Sequence, residues 1–360
     1  MSGERRALEA PHRRKEQGPR IVEKLAVRAY AAATWVVAHV PESAAGWVIG
    51  TGSQAGYLFW PSKRRWSNAN FGHVLGLPPD DPRVRRLALR AYRQYATYLV
   101  EAMRLESQSG EEAGASVSQA ELDPIEAAWK ASQGGLIFSV GHVGNNEAIG
   151  AALANRGWPM NVVADDSSFP ELFERFRALR ESWGVHIIPW RNLREIYTVL
   201  RRKEMLALLA DWGYRPDGIP VRLFGAWTTL PAGPATLAAK TNSPILPVSI
   251  RRTDGGRFHV SYSPLITVAS ASPADLQRAT QQIADALEAT VGAAPDQWYS
   301  FKPMWPATDA EAAELEARAA AMLADDGSAG PGAVRTSGAG ADAEATGADR
   351  SAPGLRAAEA

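Results

Sequence analysis

The chain has no cysteine, which excludes a disulfide framework, a thiolate nucleophile and a cysteine-bound metal. It has no net charge either. Its 39 basic residues balance 39 acidic ones, so no global field favours nucleic acid, and none is expected as a partner. Long apolar runs are missing. A membrane-spanning helix needs about 18 or more such residues, and the nearest stretch, Ala29 to Ala38 between Arg28 and His39, is far shorter. Several catalytic signatures are also absent. There is no G-x-S-x-G elbow, no phosphate loop, no G-x-G-x-x-G and no H-E-x-x-H, so covalent serine catalysis, nucleotide binding and zinc peptidase chemistry lack their marks.

Tryptophan, by contrast, is plentiful, with 12 residues. Trp favours boundaries where one end of the ring is dry and the other wet, though it packs equally well in a core. Residues 1–20, with Arg5, Arg6, Arg13, Arg14 and Lys15, read as a basic disordered arm. The apolar stretch behind it shows no small-residue cleavage site and runs into Pro41-Glu42, which argues against a signal peptide. A helix lying in a membrane interface, basic end towards lipid phosphates, fits it; so does a plain core helix.

Residues 21–310 read as one folded unit with a helical N-terminal part, 21–106, and an α/β core, 135–305. In the first part, Pro41 and the glycines at 46, 50, 52 and 56 are expected to break helical structure. Asp81-Pro82 caps and opens a strong helix to about Leu105. Ser107 to Ser118 reads as a polar loop. From Gly135 short apolar runs alternate with helical periods. Strands are predicted at 136–140, 160–164, 185–188, 205–210, 245–250 and 258–262, and helices at 146–155, 169–183, 193–202, 231–241 and 274–291. That alternation predicts an α/β fold: a three-layer αβα arrangement with a central mostly parallel or mixed sheet, plus N-terminal amphipathic helices. Residues 325–360 hold Gly, Ala, Ser, Asp and Pro with hardly any large apolar residue, and read as a disordered tail.

The informative segment is Phe138-Ser-Val-Gly-His142-Val-Gly-Asn-Asn-Glu147. A buried strand ends at Val140, Gly141 and Gly144 permit a tight loop, and Asn145 is placed to cap the following helix. His142 is therefore expected at the carboxyl end of a strand, the rim where open α/β sheets bind ligands, with Glu147 in the first helical turn. A carboxylate on one ring nitrogen would fix the tautomer and leave the other as a base. With no nucleophile in view, direct attack by a bound hydroxyl deprotonated by His142 is the simplest scheme. A His and a Glu five residues apart also occur without any such role.

His142-x4-Glu147 resembles the His-x4-Asp/Glu signature of the lysophospholipid acyltransferase superfamily. The chain looks most like the branch holding the lipid A late acyltransferases and the actinobacterial phosphatidylinositol mannoside acyltransferases. Phe169 to Arg180 resembles that branch's arginine-bearing second helix, and Leu208-Leu-Ala-Asp211-Trp its strand ending in an active-site Asp. Leu223-Phe-Gly225, Pro231 to Ala238 and Ile245-Leu-Pro-Val248 resemble its third and fourth blocks, and Gln297-Trp-Tyr-Ser-Phe, running to Trp305, its closing motif. The likeness spans roughly residues 20–310, in order. It implies a fatty acyl donor, acyl-CoA or acyl carrier protein, as co-substrate without a cofactor. It also implies a glycolipid or phospholipid acceptor and a monotopic position on the cytoplasmic face of the cell membrane. By position it carries over His142 as base and Glu147 as its orienter. Asn145, Arg177 or Arg180 (Arg180 preferred) and Asp211 follow as substrate-binding residues, with no metal. Where the mannoside branch has an acidic residue before the Phe-Gly pair, this chain has Ile219-Pro220-Val221, with Asp217 the nearest acid.

Two other classes stay open at this level. One is a catalytically silent lipid-binding protein that kept the fold. The other is a metal-dependent hydrolase using His142, Glu147 and Asp211 as ligands, although the remaining histidines show no ligand spacing. The apolar residues and glycines around 208–250 are read as the wall of an acyl tunnel, or simply as core.

Overall fold

The computed structural model describes residues 21–166 and 170–326. The expected basic arm (1–20) and nearly all of the expected tail (from 327 onward) lie outside the described residues, as does the predicted helix start at Phe169. The chain opens with four helices, α1 (Ile21–His39), α2 (Glu42–Phe59), α3 (Pro61–Leu75) and α4 (Pro82–Leu105). Pro41 separates the first two, but α2 runs straight through Gly46, Gly50, Gly52 and Gly56. Each glycine costs only about 1 kcal/mol in a helix, and packing of α2 along α4 outweighs that. Asp81 caps α4, accepting the Arg83 backbone N–H at 2.7 Å, and Pro82 occupies the first turn as expected.

The polar stretch expected as loop contains a short helix, α5 (Gly110–Gly114), started by a capping box in which Ser109 and Glu112 satisfy each other's backbone N–H. Helix α6 (Asp123–Ala131) follows. The core then alternates β1 (Leu136–Val140), α7 (Asn146–Asn155), β2 (Met160–Ala164), α8 (Pro170–Ser182), β3 (Val185–Pro189), α9 (Leu193–Arg201) and β4 (Met205–Leu209). A hairpin of β5 (Ile219–Leu223) and β6 (Ala226–Leu230) leads to α10 (Gly233–Thr241), β7 (Ile245–Arg252), β8 (Phe258–Tyr262), α11 (Pro273–Ala293) and α12 (Asp309–Ala324).

Six strands form one sheet in the order β3-β2-β4-β1-β7-β8, parallel except for β8, which runs against β7 at the edge. Side chains alternate between its faces, as a period of two requires. Ile137, Ile188, Leu206 and Ile245 point to a core shared with α9, α10 and α11. Phe138, Met160, Ile187, Ala207 and Val248 point to a second core under α7. The three-layer mixed sheet predicted from the alternation is therefore the fold. The β5–β6 hairpin stands apart as its own two-stranded sheet and carries Pro220 opposite Thr229. Its two-residue turn places both Phe224 and Gly225 at positive φ, 49° and 73°, as a tight right-twisted hairpin demands. Phenylalanine is rare there, so the turn had no sequence signal. Helix α12 extends the packed structure to Ala324, past residue 310, burying Leu315 and Ala319.

Helices α1 and α2 invert the usual pattern of surface helices. Trp35 and Trp47 are 64% and 63% exposed, and Phe59, at the end of α2, is 84% exposed, with Val36, Val48 and Leu58 also open. No described helix is long and apolar enough to cross a membrane.

Candidate active site

Strands β1 and β4 are parallel neighbours, with Val140 paired to Leu209. His142 stands two residues beyond the first and Asp211 two residues beyond the second, so the sheet delivers both to the same point on its carboxyl rim. Asp211 meets His142 twice. One carboxylate oxygen, Oδ2, accepts the His142 backbone N–H at 2.8 Å, and Oδ1 lies 2.6 Å from Nδ1 of the ring. A carboxylate at Nδ1 requires the proton there, which leaves the Nε2 lone pair as a base.

The loop carrying His142 is fixed by glycine and by a distant segment. Gly144 has φ +64°, and a Cβ there would lie 1.9 Å from the carbonyl oxygen of Ile250; no other residue fits. Val143 bridges Trp298 in antiparallel fashion. The Gly144 N–H donates to the Gln297 carbonyl at 3.2 Å, and the Tyr299 N–H donates to the His142 carbonyl at 2.8 Å. Trp298, fully buried, donates its indole N–H to Asp211 Oδ2 at 2.8 Å. Gln297 clasps the backbone of Arg252 with both ends of its amide.

The Asp211 side chain is sealed from solvent, whereas a third of the His142 side chain is exposed. Burial disfavours the charged imidazolium, but the charge and hydrogen bond of Asp211 outweigh it and raise the His142 pKa above 6.5. Burial works against ionised Asp211 too, yet His142 and the donors on both oxygens hold its pKa below the ordinary carboxylate value.

The expected pairing of His142 with Glu147 is not what the structure contains. The Glu147 carboxylate points to Arg180 of α8, in a two-pronged ion pair with Nε 2.8 Å from Oε2. Position five on from His142 lies around a helix corner, and the neighbouring strand supplies a closer carboxylate. Burial opposes both charges, but each partner overrides it, so the Glu147 pKa falls and that of Arg180 rises. Tyr98 lies half-buried beside the pair, and desolvation first, then the Glu147 charge, push its phenol upward. Asn145 caps α7 as expected, accepting from Glu147 N at 3.1 Å and Ala148 N at 3.4 Å. It was also expected to bind substrate. Its amide is instead engaged, buried and donating to Glu101 at 3.1 Å, so it holds the loop. Arg177 pairs with Glu174 on the outer face of α8, 2.6 Å away, leaving Arg180 as the arginine at the site.

His142 opens on a cavity of about 890 Å³. Its deep arm is apolar, floored by Phe138, Val140, Met160, Val162, Ala207 and Val248 and roofed by Ile149 and Leu153 of α7. Arg180 and Trp183 border it. The other arm runs past Trp212, Arg215, Asp217 and Thr229 towards the hairpin. Leu208, Leu209, Leu230, Val248 and Ile250 line the cavity as the region 208–250 was expected to, and β1, β2 and α7 add apolar residues from outside it. Pro220 brings no carboxylate; its carbonyl accepts from Gln277, and Asp217 pairs with Arg215 at the surface. Among the described residues no group of three His, Asp or Glu is arranged to hold a metal ion.

The helix start at Asn146 was expected to offer a donor to the oxyanion; the Asn146 side chain itself donates to the Gly141 carbonyl at 2.9 Å, and Trp298 had no role of its own assigned from sequence. Trp298 stood in a quoted motif, but nothing local tells that an indole will meet a carboxylate from another strand. Comparison with known proteins agrees with this architecture. The chain matches the family of bacterial lipid A biosynthesis acyltransferases over residues 15–306. It is 30% identical over 283 residues to a phosphatidylinositol mannoside acyltransferase of Mycolicibacterium smegmatis, covering 77% of this chain and 90% of that one. A phosphatidylinositol mannoside acyltransferase of Mycobacterium tuberculosis is 27% identical over 300 residues, covering 81% and 92%. The chain belongs to the bacterial lipid A biosynthesis acyltransferase family and is an acyltransferase.

Proposed function

We propose that the chain moves a fatty acyl group from a thioester donor, acyl-CoA or acyl carrier protein, to a hydroxyl of a glycolipid, with phosphatidylinositol mannoside as the acceptor. The single observation that carries this reading is the His142–Asp211 pair opening on an apolar cavity. The curated relatives' names supply the acceptor. In this scheme the acyl chain lies in the deep arm and brings its thioester to His142. Nε2 takes the proton of the acceptor hydroxyl as its oxygen attacks the carbonyl carbon. Asp211 stabilises the resulting imidazolium, and the amino end of α7 faces the developing oxyanion. Collapse breaks the carbon–sulfur bond, and the imidazolium returns its proton to the departing thiolate. A positioned base of this kind contributes about 10²–10⁴-fold.

Glu147 and Arg180 hold α8 against α7 and thereby shape the cavity wall, in place of the base-orienting role expected of Glu147. The open tryptophans and Phe59 of α1 and α2 support a peripheral position on a membrane surface. Lys63, Arg64 and Arg65 follow directly and suit anionic lipid. The test is thiol release from palmitoyl-CoA with phosphatidylinositol mannoside as acceptor, products resolved by mass. Acceptor-dependent release that disappears in His142→Ala supports the reading; equal release by both proteins, or none by folded wild type, overturns it.

A further inference from the structure

Arg180 and Arg215 line the cavity, whereas Lys302 packs behind its wall, against Trp212 and beside Gly213. Arg180 is neutralised by Glu147. Arg215 is neutralised by Asp217, with Nε 3.1 Å from Oδ1 and Nη2 3.1 Å from Oδ2. Lys302 has no carboxylate partner among the described residues; Arg191, 5.0 Å from the Trp190 ring, has none either, but only Lys302 sits on an indole that neighbours His142. Its ammonium sits 4.1 Å from the ring centre of Trp212, and that indole is itself 6.4 Å, centre to centre, from the His142 ring. Lysine and base are neighbours of the same indole, and Trp212 lines the cavity.

The backbone fixes this arrangement. Gly213 has φ +113°, and a Cβ there would come within 3.3 Å of the Pro303 carbonyl and 3.5 Å of the Lys302 Cβ. The Tyr214 N–H donates to the Pro303 carbonyl at 2.8 Å. One residue on, Met304 N–H donates to the buried Asn70 side chain, which also donates to the Lys302 carbonyl at 2.7 Å. The backbone at Lys302 is therefore fastened from two sides while its exposed head rests on an indole. An ammonium on an aromatic face keeps most of its charge available to a ligand. It also remains within electrostatic reach of His142, whose imidazolium it disfavours. A bound anion would cancel that penalty.

We propose that Lys302, braced on Trp212, is the phosphate-binding residue of this transferase and holds a substrate phosphate beside His142. The inference rests on the acyl transfer proposed above. Both substrates carry the required chemistry. Coenzyme A and the carrier-protein arm have phosphate beyond the thioester, and phosphatidylinositol mannoside has a phosphodiester next to its sugars. The arginines first considered for this role are occupied by their own carboxylates.

The experiment compares wild type, Lys302→Ala and Lys302→Arg with palmitoyl-CoA or S-palmitoyl-pantetheine as donor, and phosphatidylinositol mannoside or neutral mannosyl diacylglycerol as acceptor. Lys302→Ala is expected to lower kcat/KM about tenfold or more, as loss of a hydrogen bond to a charged group does. The loss is carried mainly by KM and largely restored in Lys302→Arg. If the deficit vanishes with the pantetheine donor, the phosphate is the donor's; if it vanishes with the neutral acceptor, it is the acceptor's. Equal kcat/KM for wild type and Lys302→Ala in every combination overturns the proposal. Calorimetric titration with coenzyme A and with inositol 1-phosphate separates this from failure of the transferase reading. Weaker binding of either probe by Lys302→Ala sustains the phosphate site even where no transfer occurs, and equal binding of both overturns it.

Discussion

Trp298 donates its indole N–H to the oxygen of Asp211 that does not face the imidazole. Oδ2 receives this bond and the His142 backbone N–H, each at 2.8 Å, which frees Oδ1 for the ring at 2.6 Å. One carboxylate thus orients the His142 ring, positions its backbone and is itself held by a buried indole. Each oxygen has a separate task.

Trp298→Phe keeps the aromatic packing against Phe71 and Trp305 but deletes the N–H. Loss of a hydrogen bond to a charged group costs about 1.5–3 kcal/mol. Thermal stability is expected to drop accordingly, and kcat to fall roughly tenfold as Asp211 gains freedom. Unchanged kcat in a destabilised variant would confine Trp298 to packing.

The pH profile follows from the His142 pKa, which Asp211 raises above 6.5 against the effect of burial. The base acts when neutral, so kcat/KM should climb as pH rises through that elevated value. Asp211→Asn removes the raising influence and leaves burial and Lys302, which both favour the neutral ring. Its acid limb should move to lower pH while kcat falls by about 10²-fold or more, in the range of a lost orienting carboxylate. A limb that stays in place would show that Asp211 does not govern the base.

Glu147→Gln strands the Arg180 charge inside the α7–α8 contact. Breaking such a partly buried pair is expected to cost about 3 kcal/mol, measured by denaturant unfolding. Glu147→Gln combined with Arg180→Met should be less harmful than the two losses added together. The folded pKa of Glu147 is depressed, so the pair's contribution is complete above the ordinary carboxylate range. It disappears as pH falls through the depressed value. Wild type should lose stability there, and the double variant should show a flatter dependence.

Gly144→Ala places a methyl where the Ile250 carbonyl already stands, at φ +64°. The loop must move away from Ile250 and Arg251 to accept it, which disturbs the bond from Gly144 N–H to the Gln297 carbonyl. Activity is expected to fall to background, with a stability loss exceeding the roughly 1 kcal/mol of an ordinary positive-φ alanine. Wild-type activity in this variant would mean that the clasp between the two segments is dispensable.

The open aromatics of α1 and α2 make a third kind of test. Replacing Trp35, Trp47 and Phe59 together by Ser removes about 1.5–3 kcal/mol of burial per side chain in a lipid interface. Sedimentation with anionic vesicles should fall by well over tenfold while the far-ultraviolet spectrum stays unchanged. Undiminished sedimentation would remove these helices from the membrane contact.

Strand-and-helix alternation was readable because each core element is local and its period is strict. The β1 and β4 strands, the loop at His142 and the Asn145 cap came from residues adjacent in sequence. What local reading missed was pairing across the sheet. His142 and Glu147 are neighbours in the chain, but Asp211 is the neighbour in space, because Val140 and Leu209 lie side by side. The family likeness named Asp211 as a site residue without saying which group it would meet. The hairpin escaped for a different reason. Its turn uses Phe224 at positive φ, a position where the chain ordinarily signals with Asn or Gly.

The clasp between the His142 loop and residues 297–303 has a consequence for synthesis. A ribosome delivers β1 and its histidine long before it delivers Trp298, Tyr299 and Pro303. Until then Asp211 lacks its indole, the His142 carbonyl lacks its donor and Trp212 lacks its lysine. The nascent chain therefore carries an incomplete site from the synthesis of His142 to that of Pro303, and the site is complete only when the last long loop closes back on the first strand.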